Sequence, residues 1–204
     1  MDTGLPNRFS DRIISLLDSV NPKEQNKCII NTVTIATPLG SMYACATEQG
    51  ICMLEFTDHK NLVQDFTALL KLMNATIVPG PNKHFEKLHT ELNEYFKGER
   101  KIFTIPLCPP GTSFQQKVWN ELLKIPYGST RSYTEQASAI GNLAAIRAVA
   151  QANGVNRIPI IIPCHRVIGS NGKLTGYGSG LHRKRWLLEL EKENSTVDLK
   201  TTLF

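Results

Sequence analysis

The sequence predicts an α+β chain in two parts: a small β-sheet domain with flanking helices, then a mostly helical domain carrying a helix-turn-helix. Three observations point there. Residues 28–57 break into short β-branched and aromatic runs separated by turn signals, and two segments of helical period follow at 60–73 and 83–96. Residues 112–153 then contain three short helical segments bounded by hydroxyl caps and glycines. With 204 residues, the chain is long enough to bury a core without disulfides or metal. Its 41% hydrophobic and 20% charged content excludes a wholly disordered chain. It has no apolar run long enough for a membrane-spanning helix. The N-terminal MDTGLPNRFSDRIISLLDS lacks the basic-then-apolar order of a secretory signal.

Residues 1–26 read as an extension, in which Phe9, Ile13, Leu16, Leu17 and Val20 line one face of a short helix that Asn21-Pro22 stops. The first domain is expected over 27–105. IINTVTIATPLG, SMYACATEQG and ICMLEFT read as strands of a small antiparallel sheet, turned at Pro38-Leu39-Gly40 and at Gly50. Leu62, Phe66, Leu69, Leu70 and Met73 share one helical face, as do Phe85, Leu88, Leu92 and Phe96, with Pro79-Gly80-Pro81 as a breaker between them. Lys97 to Gly111, with three prolines, reads as the connection. Nothing in this half has the spacing of a catalytic cluster.

The second domain is expected over 106–193, with 194–204 as a loosely held tail. Thr112 or Ser113 caps a helix through 114–123 whose Phe114, Val118, Trp119 and Leu122 are its buried side. Ser132 and Glu135 fit a capping box opening a helix to about Ile140. Gly141-Asn142 turns the chain into a second helix, Leu143 to Asn153. The pair reads as a helix-turn-helix, although any two short helices packed across a glycine turn share the pattern.

Charge is unevenly placed: residues 1–111 carry a net −1 and residues 112–204 a net +6. The basic half therefore suits an anionic partner. The five cysteines, at 28, 45, 52, 108 and 164, are odd in number and include no CxxC pair, which favours a reducing compartment over a disulfide framework.

Ile158-Pro159-Ile160-Ile161-Ile162-Pro163 is a short apolar run expected to lie buried and extended, delivering Cys164, His165 and Arg166 to the edge of a core. A cysteine nucleophile needs a base to take its proton and a polar setting for the thiolate. Neighbours in an extended chain point opposite ways, so contact between Cys164 and His165 requires a bend at Pro163 or a bridging water. A lone free cysteine is otherwise a small buried hydrophobe.

PCHRVIG, placed after the helix pair and before SNGKLTGYGSG, resembles the active-site signature of the methylated-DNA–protein-cysteine methyltransferases, the alkylguanine-DNA alkyltransferases. Residues 112–193 follow that family's C-terminal domain and 28–105 its N-terminal one. Agreement extends to Tyr133, Arg147, Asn156, Tyr177 and Trp186. The resemblance implies a ribonuclease-H-like first domain and a winged-helix-like second one. It implies repair of DNA alkylation by single-turnover transfer of the alkyl group from 6-O-methylguanine, with 4-O-methylthymine as a further substrate, to Cys164. His165, with Glu191, would deprotonate the thiol through water, and Asn156 would stiffen the turn before it. Tyr133 would donate to guanine N3, and Arg147 would fill the gap left by a flipped-out nucleotide. Tyr177, Gly178, Ser179, Pro159 and Trp186 would line the base site. Asn142, Ala144, Ala145, Ala148, Gly154 and Arg166 would join Tyr133 and Arg147 on the DNA side, the helix entering the minor groove.

The same resemblance implies double-stranded DNA as partner; no cofactor, metal, membrane or obligate protein partner is expected, in a monomer of the bacterial cytoplasm that joins the nucleoid when bound. Lys117, Lys124, Arg131, Arg183, Lys184 and Arg185 are candidate phosphate contacts. Some family members hold zinc in the first domain. Cys28, Cys45, Cys52, His59, His84 and His89 match no short ligand motif, so core and surface roles are expected of them. Two departures stand out: Gly178 where some members have serine, and Arg157 where Asn-Pro is common. Two other readings share the fold: a non-catalytic binder of alkylated DNA, disfavoured by the presence of Cys164, and an alkylation-responsive transcriptional regulator domain.

Overall fold

A computed structural model describes residues 28–195, so the expected helix within 1–26 and the residues from 196 onward lie outside it. The described chain forms two compact units, one holding 28–90 with Ile105–Pro110, the other Glu91–Thr104 with 111–195.

In the first unit, β1 (Cys28–Ile35), β2 (Met42–Ala46) and β3 (Ile51–Phe56) form an antiparallel meander. Helix α1 (Leu62–Met73) follows and ends at Asn74, whose left-handed backbone at φ 45° returns an N–H to Leu70 O. That cap turns the chain straight into β4 (Ala75–Pro79), which pairs in parallel with β1 and makes the sheet order β3-β2-β1-β4. The sheet is therefore mixed, not purely antiparallel as expected. The strand was hidden because ATIVP is only five residues long and runs into the proline-glycine breaker. Phe66, Leu69 and Leu70 of α1 close over Ile30, Tyr43, Cys45, Met53 and Ile77 of the sheet. Pro106 and Leu107 lie along Ile51, with Ile51 N donating to Pro106 O at 2.9 Å. A Cβ at Gly50 would sit 2.5 Å from that same carbonyl, which explains the glycine.

The cysteines of this unit are free. Cys45 and Cys52 are fully buried, and burial pushes the Cys45 thiol up to about 12 despite a hydrogen bond to Thr32. Cys28 is exposed. His59 Nδ1 lies 2.8 Å from Asp65 rather than near a cysteine. Among the described residues, the one gathering of three metal-capable side chains is Glu55, His59 and Asp65, which shares only His59 with the six residues considered for zinc.

Helix α2 (Phe85–Phe96) divides between the units at Thr90. In the second unit, α3 (Ser113–Leu122) opens with a capping box between Thr112 and Gln115. Trp119 is buried on its inner side and donates its indole N–H to Ala152 O at 2.9 Å. After the two-residue strand β5 (Arg131–Ser132), α4 (Tyr133–Ala139) begins on the expected Ser132–Glu135 capping box. Gln136 of α4 is buried and spans between Val118 O, at 3.2 Å, and the Arg131 guanidinium, at 2.9 Å. Gly141, at φ 77°, makes the turn. The second helix starts as a 3-10 turn (Leu143–Ala145) and continues as α5 (Ile146–Gly154).

The run 158–163 is not extended. Ile162 N closes a tight turn on Ile158 O at 2.9 Å, and Ile160 adopts φ 76°. Pro159 and Pro163 have no N–H for a ladder, so this buried backbone meets its hydrogen-bonding needs locally. A 3-10 turn (Cys164–Arg166) follows, then β6 (Val167–Ile168), parallel to β5. Helix α6 (Leu181–Ser195) runs longer than the pattern from Arg183 to Lys192 suggests, and takes in the first two residues assigned to the tail. No helix among the described residues is long and apolar enough to cross a membrane.

Substituting Thr112→Ala or Ser132→Ala removes one side of a capping box. Each is expected to lower unfolding free energy by about 1 kcal/mol, measured by urea titration followed by circular dichroism.

Candidate active site

Cys164 sits at the start of the 3-10 turn with 6% of its surface exposed. The turn is held from outside by Asn156, the second residue beyond α5. Asn156 Nδ2 donates to Ile162 O at 2.8 Å and lies 3.1 Å from the Cys164 sulfur, while its Oδ1 accepts from Ile158 N at 3.1 Å. One buried amide thus shapes the bend and offers an N–H to the sulfur, a contact stronger for a thiolate than for a thiol. The 3-10 bend replaces the alternation of an extended chain, so adjacent residues 164 and 165 need not point apart.

His165 is fully buried, with Nε2 2.8 Å from Glu191 Oε1. Nδ1 has no hydrogen-bond partner in the protein. With Nε2–H directed at the carboxylate, Nδ1 carries the lone pair able to accept a proton. Burial lowers the His165 pKa; the Glu191 hydrogen bond and charge oppose this, and the charges of Arg166 and Lys184 add to it. The ring is therefore neutral at neutral pH and available as a base.

Glu191 is the hub of the site and is wholly buried. Oε1 also accepts from Tyr95 Oη at 2.7 Å and Arg166 Nη2 at 2.9 Å; Oε2 accepts from Arg166 Nε at 2.9 Å and Gly128 N at 3.1 Å. Burial alone would raise its pKa, but the hydrogen bonds from His165 and Arg166 and the Arg166 charge together hold the carboxyl well below the usual range. Tyr95 responds oppositely: burial and the Glu191 charge push its phenol well above 10.

Arg166, expected on the DNA side, is internal. Besides its two bonds to Glu191 it donates Nη1 to Ile125 O at 2.7 Å and lies over the Tyr127 ring, 5.8 Å from the centroid. A guanidinium matches a carboxylate in two-point geometry, and burial makes that pairing obligatory. Arg183 and Lys184 are likewise buried rather than presented to phosphate, whereas Arg185 is exposed. Arg183 Nη1 donates to Ser179 O at 2.9 Å. Tyr95 and Gly128 are site components that the sequence reading missed, and it named Lys184 only as a phosphate contact. Tyr95 carried one usable signal, since it shares the helical face of Leu88 and Leu92.

The remaining residues divide by exposure. Tyr133, the first residue of α4, points its hydroxyl at Thr175 O (3.4 Å) and Gly176 O (3.5 Å). Burial raises its pKa, and the Cys164 charge adds to this. In the loop that follows, Tyr177 is half-buried, Gly178 exposed and Ser179 buried, and Gly180 N closes on Tyr177 O at 3.0 Å. Pro159 is buried. Trp186 is half-buried and packs against Phe96 in a tilted arrangement, with centroids 5.8 Å apart. Asn142, Ala144, Arg147, Ala148 and Gly154 are exposed and Ala145 half-buried, all on or beside the second helix of the pair. An open groove of about 570 Å³ lies between the start of α3 and the outer side of α5, and Cys164 is not part of its lining.

The family profile described as 6-O-methylguanine DNA methyltransferase, DNA binding domain, matches residues 113–193, and the one described as its ribonuclease-like domain matches 30–109. A methylated-DNA–protein-cysteine methyltransferase of Mycobacterium bovis is 60% identical over 114 residues, 56% of this chain and 68% of the relative. The constitutive one of Bacillus subtilis is 44% identical over 165 residues, 78% of this chain and 93% of the relative. The crystal structure of the Mycobacterium tuberculosis O6-methylguanine methyltransferase superposes with a TM-score of 0.70 at 43% identity, covering 84% of this chain and 98% of that one. A structure of Mycobacterium tuberculosis OGT in complex with DNA gives 0.68 at 43% identity, with 81% and 94% covered.

Glu191→Gln is expected to destabilise the protein by about 3–5 kcal/mol at neutral pH, because Arg166 keeps its buried charge without a counter-charge. The unaltered protein is expected to lose stability as pH falls below 6.5, the ordinary histidine value, and again below 4.5, the ordinary glutamate value. In both ranges the unfolded chain binds protons that buried His165 and Glu191 refuse. Urea midpoints at stepped pH values check both, with a shallower acid-side loss in Glu191→Gln.

Proposed function

The chain belongs to the 6-O-methylguanine DNA methyltransferase family, and we propose on that premise that it repairs alkylated DNA by moving the alkyl group from guanine O6 onto Cys164. The observation that carries this reading is the Cys164 sulfur, placed 3.1 Å from the Asn156 amide in a turn whose next residue is a neutral histidine fixed by Glu191.

The reaction runs as a direct displacement. His165 takes the thiol proton through water, and the resulting thiolate is held by the Asn156 N–H. Sulfur attacks the alkyl carbon; the new S–C bond forms as the C–O6 bond breaks, its electron pair leaving on the guanine. Tyr133 gives a proton to N3, so the base departs neutral rather than anionic. The product is a thioether with no leaving tendency, so each molecule acts once.

The alkyl carbon lies inside the duplex, so the base must swing out, at a cost of a few kcal/mol that is lower for a mispaired lesion. The second helix of the pair, its 3-10 start included, enters the minor groove with exposed Ala144, Ala148 and Gly154 allowing close approach and Arg147 filling the gap beside the orphan base. Tyr177, Gly178 and Ser179 cover the extruded guanine, and their backbone amides donate toward O6. 4-O-Methylthymine is a second substrate of the same geometry. Residues 28–90 with Ile105–Pro110 act as the structural unit, and Glu91–Thr104 with 111–193 as the catalytic and DNA-binding one. The work is done in the cytoplasm, at the nucleoid when DNA is bound.

Mixing the protein with a duplex containing 6-O-methylguanine is expected to add the mass of one methylene to the tryptic peptide bearing Cys164, saturating at one equivalent. Cys164→Ser binds the duplex and gains nothing; binding without mass gain by the unaltered protein would refute the repair reading. Arg147→Ala is expected to slow transfer from duplex on the order of tenfold while leaving transfer from the free base nearly unchanged, since only the duplex incurs the cost of flipping. Gly178→Ser is expected to lower the benzyl-to-methyl rate ratio, because a side chain there narrows the room for longer alkyl groups.

A further inference from the structure

Tyr95 stands in the last turn of α2 with none of its surface exposed. Aromatic rings surround it: Phe96 and Tyr127 meet it edge-on at centroid distances of 5.6 and 6.0 Å, and Phe103 lies tilted at 5.3 Å. Its hydroxyl donates to Glu191 Oε1, 2.7 Å away. The same oxygen faces His165 Nε2 at 2.8 Å and takes an N–H from Arg166 Nη2 at 2.9 Å. The other oxygen accepts from Arg166 Nε at 2.9 Å and Gly128 N at 3.1 Å. Five donors thus converge on one carboxylate. Such a group has about four lone-pair sites, so its donors compete.

That competition bears on the base. A bare carboxylate at Nε2–H pulls an imidazole toward its protonated form, and each further donor draws negative charge from the shared oxygen and weakens the pull. Arg166 divides its bonds between the two oxygens, whereas Tyr95 acts on Oε1 alone. The phenol keeps its proton near neutral pH, because burial and the Glu191 charge push it well above 10. Around the Glu191–His165 pair, Cys164 and Arg166 flank the imidazole in the active-site turn and Lys184 acts on it from α6; Tyr95 faces the carboxylate from α2 and Tyr127 from the segment after α3. The Tyr127 hydroxyl makes no hydrogen bond, so of these two phenols only Tyr95 is bonded to Glu191.

Resting on the alkyl-transfer reading, we propose that Tyr95 is a positioning residue that sets the proton affinity of His165, by sharing Glu191 Oε1 with the imidazole and holding that oxygen in place. It acts through the carboxylate and touches neither the sulfur nor the transferred group. Without its O–H, Oε1 binds the His165 N–H more strongly and the imidazole retains a proton to higher pH. Transfer needs neutral His165, so the rate falls as pH drops through the histidine titration, and a raised titration brings that fall closer to neutral pH. A stronger donor at position 95 has the opposite effect.

Two measurements test this on Tyr95→Phe, on protein with 3-fluorotyrosine in place of Tyr95, and on Tyr127→Phe. Imidazole NMR of histidine-labelled protein gives the His165 titration, and its Nε2–H proton resonance, which moves downfield as the bond to Glu191 strengthens. The single-turnover rate of mass gain at Cys164 from a 6-O-methylguanine duplex is followed from mildly acid to neutral pH. Tyr95→Phe is expected to raise the titration by about half a unit to one unit, move the Nε2–H resonance downfield and shift the acid limb of the rate profile up by the same amount. Fluorotyrosine, a more acidic phenol and a stronger donor, is expected to move the resonance upfield. Tyr127→Phe leaves the His165 signals in place. A folded Tyr95→Phe protein whose His165 signals match those of the unaltered one overturns the proposal, as do resonance shifts of the same sign from both changes at position 95, the mark of altered packing alone. Should Tyr95→Phe fail to fold, the fluorotyrosine protein decides: without an upfield shift the proposal falls. If the unaltered protein takes no alkyl group from the duplex, it is the alkyl-transfer reading that fails, and the His165 signals still decide the role of Tyr95.

Discussion

A single buried carboxylate organises the catalytic half of the molecule. Glu191 accepts from His165, Arg166, Tyr95 and Gly128 at once. The arginine settles the electrostatics: with its charge spent on Glu191, the carboxylate orients the imidazole without forcing it to stay protonated. A Glu–His pair alone would drift toward an ion pair and lose the base. An unmatched Arg166 would leave a cation in the interior at a cost of several kcal/mol. The group works only as a set, which ties the last helix, the active-site turn, the residues just after α3 and the end of α2 to one another.

The local rules that ended up visible in the sequence are those with short reach. Ser132 and Glu135, or Thr112 and its partner three residues on, meet each other within one turn of helix, so their spacing is readable without knowing the rest of the fold. The same holds for the Gly141 turn and for the apolar faces of α1 and α2. Cys164, His165 and Asn156 were legible by resemblance, as a motif rather than as geometry.

What stayed hidden depends on residues distant in the chain. β4 is a strand because β1, some forty-five residues earlier, offers it a free edge. The 158–163 run bends because its prolines deny it a ladder and Asn156 supplies the missing bonds. Arg166 and Lys184 read as surface cations because nothing near them in sequence announces a buried acceptor: the carboxylate for one lies 25 residues on, and the carbonyls for the other come from two separate segments. Basic residues of the C-terminal half therefore divide into outward-facing ones and internal struts. The net +6 of that half overstates the charge it presents to a partner.

The indole of Trp119 has a practical consequence. Its N–H is anchored on Ala152 O inside the helix pair, at the far side of the element that bears Arg147. Its emission therefore serves as an intrinsic optical gauge of how firmly α5 is seated on α3, provided Trp186 is replaced to silence the second fluorophore. The protein carries its own label for following that helix in real time, with no dye attached.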